Sequence, residues 1–267
     1  MSPATRASRG RARLTARDCE VLAFLAEHRL ARADHVARLL GVSLGAAQAR
    51  LRALGKADYV GRLGVYQGEP DVHQISGRGL AAIGSALPPP RLDLRSYAHD
   101  IGVAWLWLAA RDGLFGELRE IIGERQLRSR DGPTRRSDPP LAVRLGGTGP
   151  RGGERLHYPD LLLVTADGRR IAVELELTGK TRTRREDILA GYGADPCIDA
   201  VLYLVRSRSV GDPVIASARR LGLSDLVHVQ RVALTAGPAA QPAGRVLERS
   251  AHRQPGRGRG REGEFEL

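Results

Sequence analysis

Three acidic residues stand where they could share one surface: Asp160 ends the run Tyr158-Pro159-Asp160, and Glu174 and Glu176 alternate within residues 171–177. Successive side chains of an extended strand point to opposite faces, so Ala172, Glu174 and Glu176 fall on one face and Val173, Leu175 and Leu177 on the other. A three-residue turn, Ala166-Asp167-Gly168 with the glycine left-handed, then sets Asp160 directly across from Glu174 and on the same face. Carboxylates that close repel, and an apolar surround raises the cost, so protons, cationic side chains or a divalent metal must neutralise them. All-oxygen ligands favour Mg²⁺ or Mn²⁺ over zinc. Such an ion polarises a phosphoryl oxygen and lowers the pKa of a bound water, as phosphodiester hydrolysis requires. Lys180, Arg182, Arg184 and Arg185 crowd the following segment, either to grip phosphates beside the acids or to neutralise them.

The elements around this hairpin read as an α/β arrangement. A helix over about 181–192, a strand over 200–205, a helix over 212–221 and a strand over 226–232 alternate as in a sheet covered by helices. Upstream, residues 97–112 are rich in Leu, Trp and Ala and predict a helix whose Trp105 and Trp107 pack the core. His99 near its start reads as a capping or core histidine. Residues 118–127 read as a strand or strand pair carrying a fourth acid, Glu124. The stretch 128–155, mostly Arg, Asp, Pro and Gly, predicts a flexible insertion.

The first third of the chain has a different pattern. Thr15 with Asp18 makes a capping-box start, followed by Val21, Leu22 and Leu25 at helical spacing. A second helix is expected over 33–40, then a Gly41-Val42-Ser43 turn and a third helix from Ser43 to about Gly55, with Leu44, Ala47, Leu51 and Leu54 on its apolar face. The opposite face presents Gln48, Arg52 and Lys56, with Arg50 at its flank, the residue types that read bases and anchor on phosphates. A glycine-punctuated stretch from Tyr59 to Ile75, including Arg62, predicts a two-stranded wing, and a short helix follows to near Ala86. Together these make a winged helix-turn-helix plan. The expected fold class is therefore α/β: a winged helix-turn-helix over 14–87, a linker over 88–96 marked by Pro88-Pro89-Pro90, and a restriction-endonuclease-like α/β domain with a mixed sheet over 97–235. Residues 1–13 and 236–267 read as disordered basic arms.

Two resemblances follow from these residues. Tyr158-Pro159-Asp160 and Glu174-Leu175-Glu176 resemble the PD-(D/E)xK nuclease superfamily. The resemblance implies Asp160, Glu174 and the Leu175 carbonyl as metal ligands, with Glu176 standing where a lysine is expected and Lys180 the nearest substitute. Over nearly the whole ordered chain, the winged helix-turn-helix, His99-Asp100, Glu124-Arg125, Pro159-Asp160 and Glu174-Leu175-Glu176-Leu177-Thr178 with Lys180 and Arg184 look like the replication-relaxation family. That resemblance implies DNA transactions of a mobile element, in plasmid replication or mobilisation. Two other readings stay open: a Mg²⁺-dependent endonuclease using Asp160, Glu174, Glu176 and Lys180, and a transcriptional regulator with an inactive nuclease-like domain.

Composition points to the same partner class. The 267 residues carry 42 Lys and Arg against 30 Asp and Glu, a formal net charge of +12 that favours a polyanion such as double-stranded DNA. A relaxase or replication protein and a second copy of the chain are further partners left open. Two cysteines, Cys19 and Cys197, give neither a disulfide framework nor a zinc site and fit a reducing, cytoplasmic compartment. The basic N-terminus lacks an apolar signal region, and no apolar run is long enough for a membrane span.

Overall fold

The computed structural model describes residues 14–132, 141–149, 152–233 and 264–266. The arm expected at 1–13 and residues 236–263 of the expected tail lie outside the described residues. Helix α1 (Ala16–Glu27) begins with the capping box: the Thr15 hydroxyl accepts the Asp18 amide at 3.2 Å, and Asp18 accepts the Thr15 amide at 2.9 Å. A two-residue strand β1 (Ala31–Arg32) leads into α2 (Ala33–Leu40), which Gly41 terminates at φ +62°. Ser43 then caps α3 (Leu44–Lys56), its hydroxyl accepting the Ala46 amide at 3.3 Å. Strands β2 (Val60–Leu63) and β3 (Val72–Ile75) pair antiparallel, and β1 adds to the free edge of β3. The short α4 (Gly77–Ala82) ends at Ala82 rather than near Ala86.

Val21, Leu22, Leu25, Val36, Ala47, Leu51 and Leu54 bury together beneath these elements. Leu44 does not join them. It is 49% exposed, because the first turn of α3 projects beyond the packed part of the helix.

A 3-10 turn over Leu94–Ser96 precedes α5 (Tyr97–Arg111). Then come β4 (Leu118–Gly123), α6 (Glu124–Arg130), β5 (Val143–Thr148), β6 (Glu154–His157), β7 (Leu161–Thr165), β8 (Arg170–Glu176), α7 (Arg182–Ala194), β9 (Ala200–Val205), α8 (Arg208–Arg220), β10 (Val227–Ala233) and β11 (Glu264–Glu266). The sheet runs β11-β10-β9-β8-β7-β4. It is mixed: β4, β7 and β8 are antiparallel neighbours, whereas β8, β9, β10 and β11 run parallel. All six residues of β9 are buried, as expected for a parallel strand covered on both faces.

Three local expectations change. Residues 118–127 are not all strand: β4 stops at Gly123 and Glu124 opens α6, where an i,i+4 ion pair to Arg128 at 2.8 Å supports the helix. The stretch 128–155 holds the end of that helix, all of β5 and the start of β6, strands that pair as a hairpin; residues 133–140, 150 and 151 lie outside the described residues. Residues 264–266, expected within a disordered tail, pair with β10.

The linker also separates less than its composition suggests. Ala104 and Leu108 of α5 are buried in the core of the N-terminal unit, with Trp105 and Trp107 packed against it, while Leu106 and Ala110 of the same helix are buried against the sheet. One helix therefore belongs to both cores.

Candidate functional site

Strands β7 and β8 create the site by their register. Leu161 pairs with Val173 and Leu162 with Ala172, so the next pair along sets Asp160 against Glu174. The connecting turn has Gly168 at φ +90°, a conformation that disfavours any residue with a Cβ, as the three-residue loop requires. Glu174 and Glu176 share the sheet face covered by α7 and α8, and both are buried. Glu174 and Glu176 therefore share one face as strand alternation predicts, with Asp160 across from Glu174.

Each acid is met by a proton donor. Asp160 Oδ2 accepts the Leu175 amide at 2.8 Å and lies 3.0 Å from His99 Nε2. Glu174 Oε1 lies 2.6 Å from His157 Nε2 and accepts the Tyr192 hydroxyl. Glu176 takes Lys180 twice: its Oε1 accepts the Lys180 amide at 3.0 Å and its Oε2 the ammonium at 2.9 Å. Within the chain, the His99 imidazole, the Lys180 ammonium and the Tyr192 hydroxyl meet these carboxylates.

The charge states follow. Burial works against ionising Glu174, but the His157 contact, the Lys180 charge and the Tyr192 hydroxyl together hold it below the ordinary glutamate value. Burial likewise opposes a charged His99, yet Asp160 and Asp100 raise it to about 10, so it is an imidazolium at neutral pH. Lys180 is raised in spite of burial by Glu174, Glu176 and Asp160. Burial, reinforced by Glu174, pushes the Tyr192 and Tyr203 phenols well above their usual range. Among the described residues the buried Tyr203 hydroxyl has no hydrogen-bond partner.

The residues expected to hold a metal, Asp160, Glu174 and Leu175, are neighbours here, and each acid already has a hydrogen-bond partner. Leu175 meets Asp160 through its amide, Glu174 is 2% exposed, and an imidazolium flanks Asp160. Among the described residues no group of three or more His, Cys, Asp or Glu is placed to hold a metal. The cluster as built can hold and pass protons between carboxylates, imidazoles and a lysine.

His99 is the main revision to the sequence reading. It neither caps α5 nor fills the core, but reaches across to Asp160 from the first turn of the helix. His157 and Tyr192 received no role from the sequence. The available signal for His157 was its place three residues before Asp160, on a strand leading directly into the site. Glu124 lines the same pocket as His99 and Asp160, its amide bonded to the Asp160 carbonyl at 3.1 Å and its carboxylate paired with Arg29 and Arg128, each at 2.8 Å.

The cations expected at the acid cluster divide. Lys180 folds back into it. Arg185 does not face a cleft: it is buried, donating to the Ser217 hydroxyl and the Lys180 carbonyl, each at 3.0 Å, and so props the loop that carries Lys180. Arg182 pairs with Glu186 at 3.1 Å, and Arg184 is exposed. On α3, Gln48, Arg52 and Lys56 form one exposed row. Arg50 turns instead to α1, binding Asp18 at 2.6 Å and Thr15 at 3.3 Å. Ser43 serves as the cap, and Arg62 pairs with Asp71 beside the hairpin loop. The tip of that hairpin folds back: Tyr66 packs edge-on against Tyr97, ring centroids 5.1 Å apart.

No protein-family model, curated protein or solved structure matches the chain. Among the described residues no helix is long and apolar enough to cross a membrane.

Proposed function

We propose that this chain is a DNA-binding protein of a mobile genetic element, acting in plasmid replication or mobilisation through a winged helix-turn-helix joined to a PD-(D/E)xK-like domain. The observation that carries the DNA-binding part is the row Gln48, Arg52 and Lys56, left exposed on a capped helix whose other side is buried by Ala47, Leu51 and Leu54. Those side chains suit base edges and phosphates, and the net charge of +12 favours a polyanion. The order α5-β4-α6-β5-β6-β7-β8-α7-β9, with Asp160 across from Glu174, supports the nuclease-like assignment. The mobile-element setting rests on the resemblance of Glu174-Leu175-Glu176-Leu177-Thr178 and its companions to the replication-relaxation family.

Titration of a fluorescent random-sequence duplex at salt concentrations from about 50 to 200 mM tests binding, because each phosphate contact adds about 0.9 to the log–log salt slope. Arg52→Ala with Lys56→Ala is expected to lower that slope by about two contacts. Absence of binding at low salt overturns the proposal.

A second reading, metal-dependent endonuclease, is favoured by Lys180, whose ammonium reaches Glu176 and supplies the cation missing from the strand position. Supercoiled plasmid incubated with Mg²⁺ or Mn²⁺ separates the two readings. Nicking by the wild type that Asp160→Ala abolishes establishes the enzyme, and binding without nicking leaves the accessory role. A regulator whose α/β domain is inert predicts that sequence selectivity survives Asp160→Ala in the full chain.

A further inference from the structure

We propose that the seam between the two modules holds the acid cluster at one fixed offset along the duplex from the bases that α3 contacts. The inference rests on the DNA-binding reading and adds to it a geometric specificity that neither module has alone.

The physical chain from α3 to Asp160 has no loose joint. Helix α3 is buried against α1 and α2 through Ala47, Leu51 and Leu54, and Arg50 pins it to Asp18. Helix α2 is docked along α5 at three levels. His35 is neutral, since burial lowers its pKa to about 4, and its Nδ1 accepts the Arg32 amide, so its Nε2 donates to the Ile101 carbonyl at 3.2 Å. Farther along, Arg111 donates to the Leu39 carbonyl at 2.9 Å and Arg38 to Asp112 at 2.6 Å. On the other side of the seam, the end of α1 grips the start of α6. Glu27 accepts the Gly123 amide at 2.8 Å, Arg125 donates to the Ala26 carbonyl at 3.0 Å, and Arg29 bridges Asp100 at 3.3 Å and Glu124 at 2.8 Å. Helix α5 lies between these ties with residues inside both cores, and its first turn delivers His99 to Asp160. A hinge at the 88–96 segment would have to pull Ala104 and Leu108 out of a packed core, so that segment does not set the relative position of the modules.

Affinity cleavage tests the proposal without requiring the protein to cut DNA itself. In a Cys19→Ser, Cys197→Ser background, Arg206→Cys, exposed immediately after β9, carries an iron chelate beside the acid cluster. The labelled full chain is mixed with duplexes that the unlabelled chain enriches from a random-sequence pool. The expected result is one cluster of strand scission at a constant distance from the enriched motif. Inserting four Gly and Ser residues between Arg91 and Leu92 leaves that distance unchanged. A module shift of ~7 Å would move the cluster by about two base pairs, at ~3.4 Å per step, which a sequencing gel resolves. Scission scattered along the enriched duplexes, or a cluster that moves with the insertion, overturns the fixed offset while leaving DNA binding intact. Failure to enrich any duplex overturns the DNA-binding reading and the offset with it.

Discussion

Glu27 sits at the end of α1 with its carboxylate pressed against the backbone of Gly123, and burial raises its pKa from 4.5 to about 7 despite the hydrogen bond from that amide and the charge of Arg130. A carboxylate raised in the folded state binds its proton more tightly there than in the unfolded chain. Stability is therefore undiminished by this group below pH 4.5, falls as pH rises toward 7, and is reduced by a constant amount above it. The interval between 4.5 and about 7, at 1.36 kcal/mol per unit, makes that loss about 3 kcal/mol. Glu27→Gln keeps an oxygen for the Gly123 amide and removes the charge. Its advantage over the wild type is expected to be near zero at pH 4.5 and to grow to about 3 kcal/mol by pH 8, less whatever the amide loses against Gln126, which donates to Glu27 at 3.3 Å. Urea unfolding of both proteins across pH 4.5–8 reads the difference directly. A difference that stays flat over this interval refutes the assignment of a buried, proton-binding carboxylate to the seam.

Two further outcomes are expected. His157→Ala leaves the buried Glu174 carboxylate without its imidazole partner and should destabilise the fold by about 3–5 kcal/mol, a loss measurable by urea unfolding at neutral pH. Arg185→Ala removes the support of the Lys180 loop and should lower stability by about 1–3 kcal/mol while leaving the salt slope of DNA binding unchanged; a fall in slope would return Arg185 to the phosphate contacts.

The features legible in the sequence are those governed by local rules. Strand alternation placed Glu174 and Glu176 on one face, and the loop ending in Gly168 set the register that brings Asp160 opposite Glu174. The capping residues Thr15 and Ser43 likewise fix where α1 and α3 begin. Residues far apart in the chain carry no such local signal. His99 reaches Asp160 only because α5 packs across the sheet, and whether a histidine ends in a core or on a carboxylate depends on where its helix lands. Arg185 and Arg184 are neighbours with the same chemistry, yet one is buried and the other exposed, a choice made by the rotation of α7 against α8. Glu124 opens a helix instead of continuing the strand, and its partner Arg29 stands nearly a hundred positions away. The sequence by itself determined the acid hairpin and the exposed row on α3, because both depend on periodicity and turns. Tertiary packing alone decided which cations neutralise the acids and joined the two modules through α5, because those contacts depend on how finished elements meet.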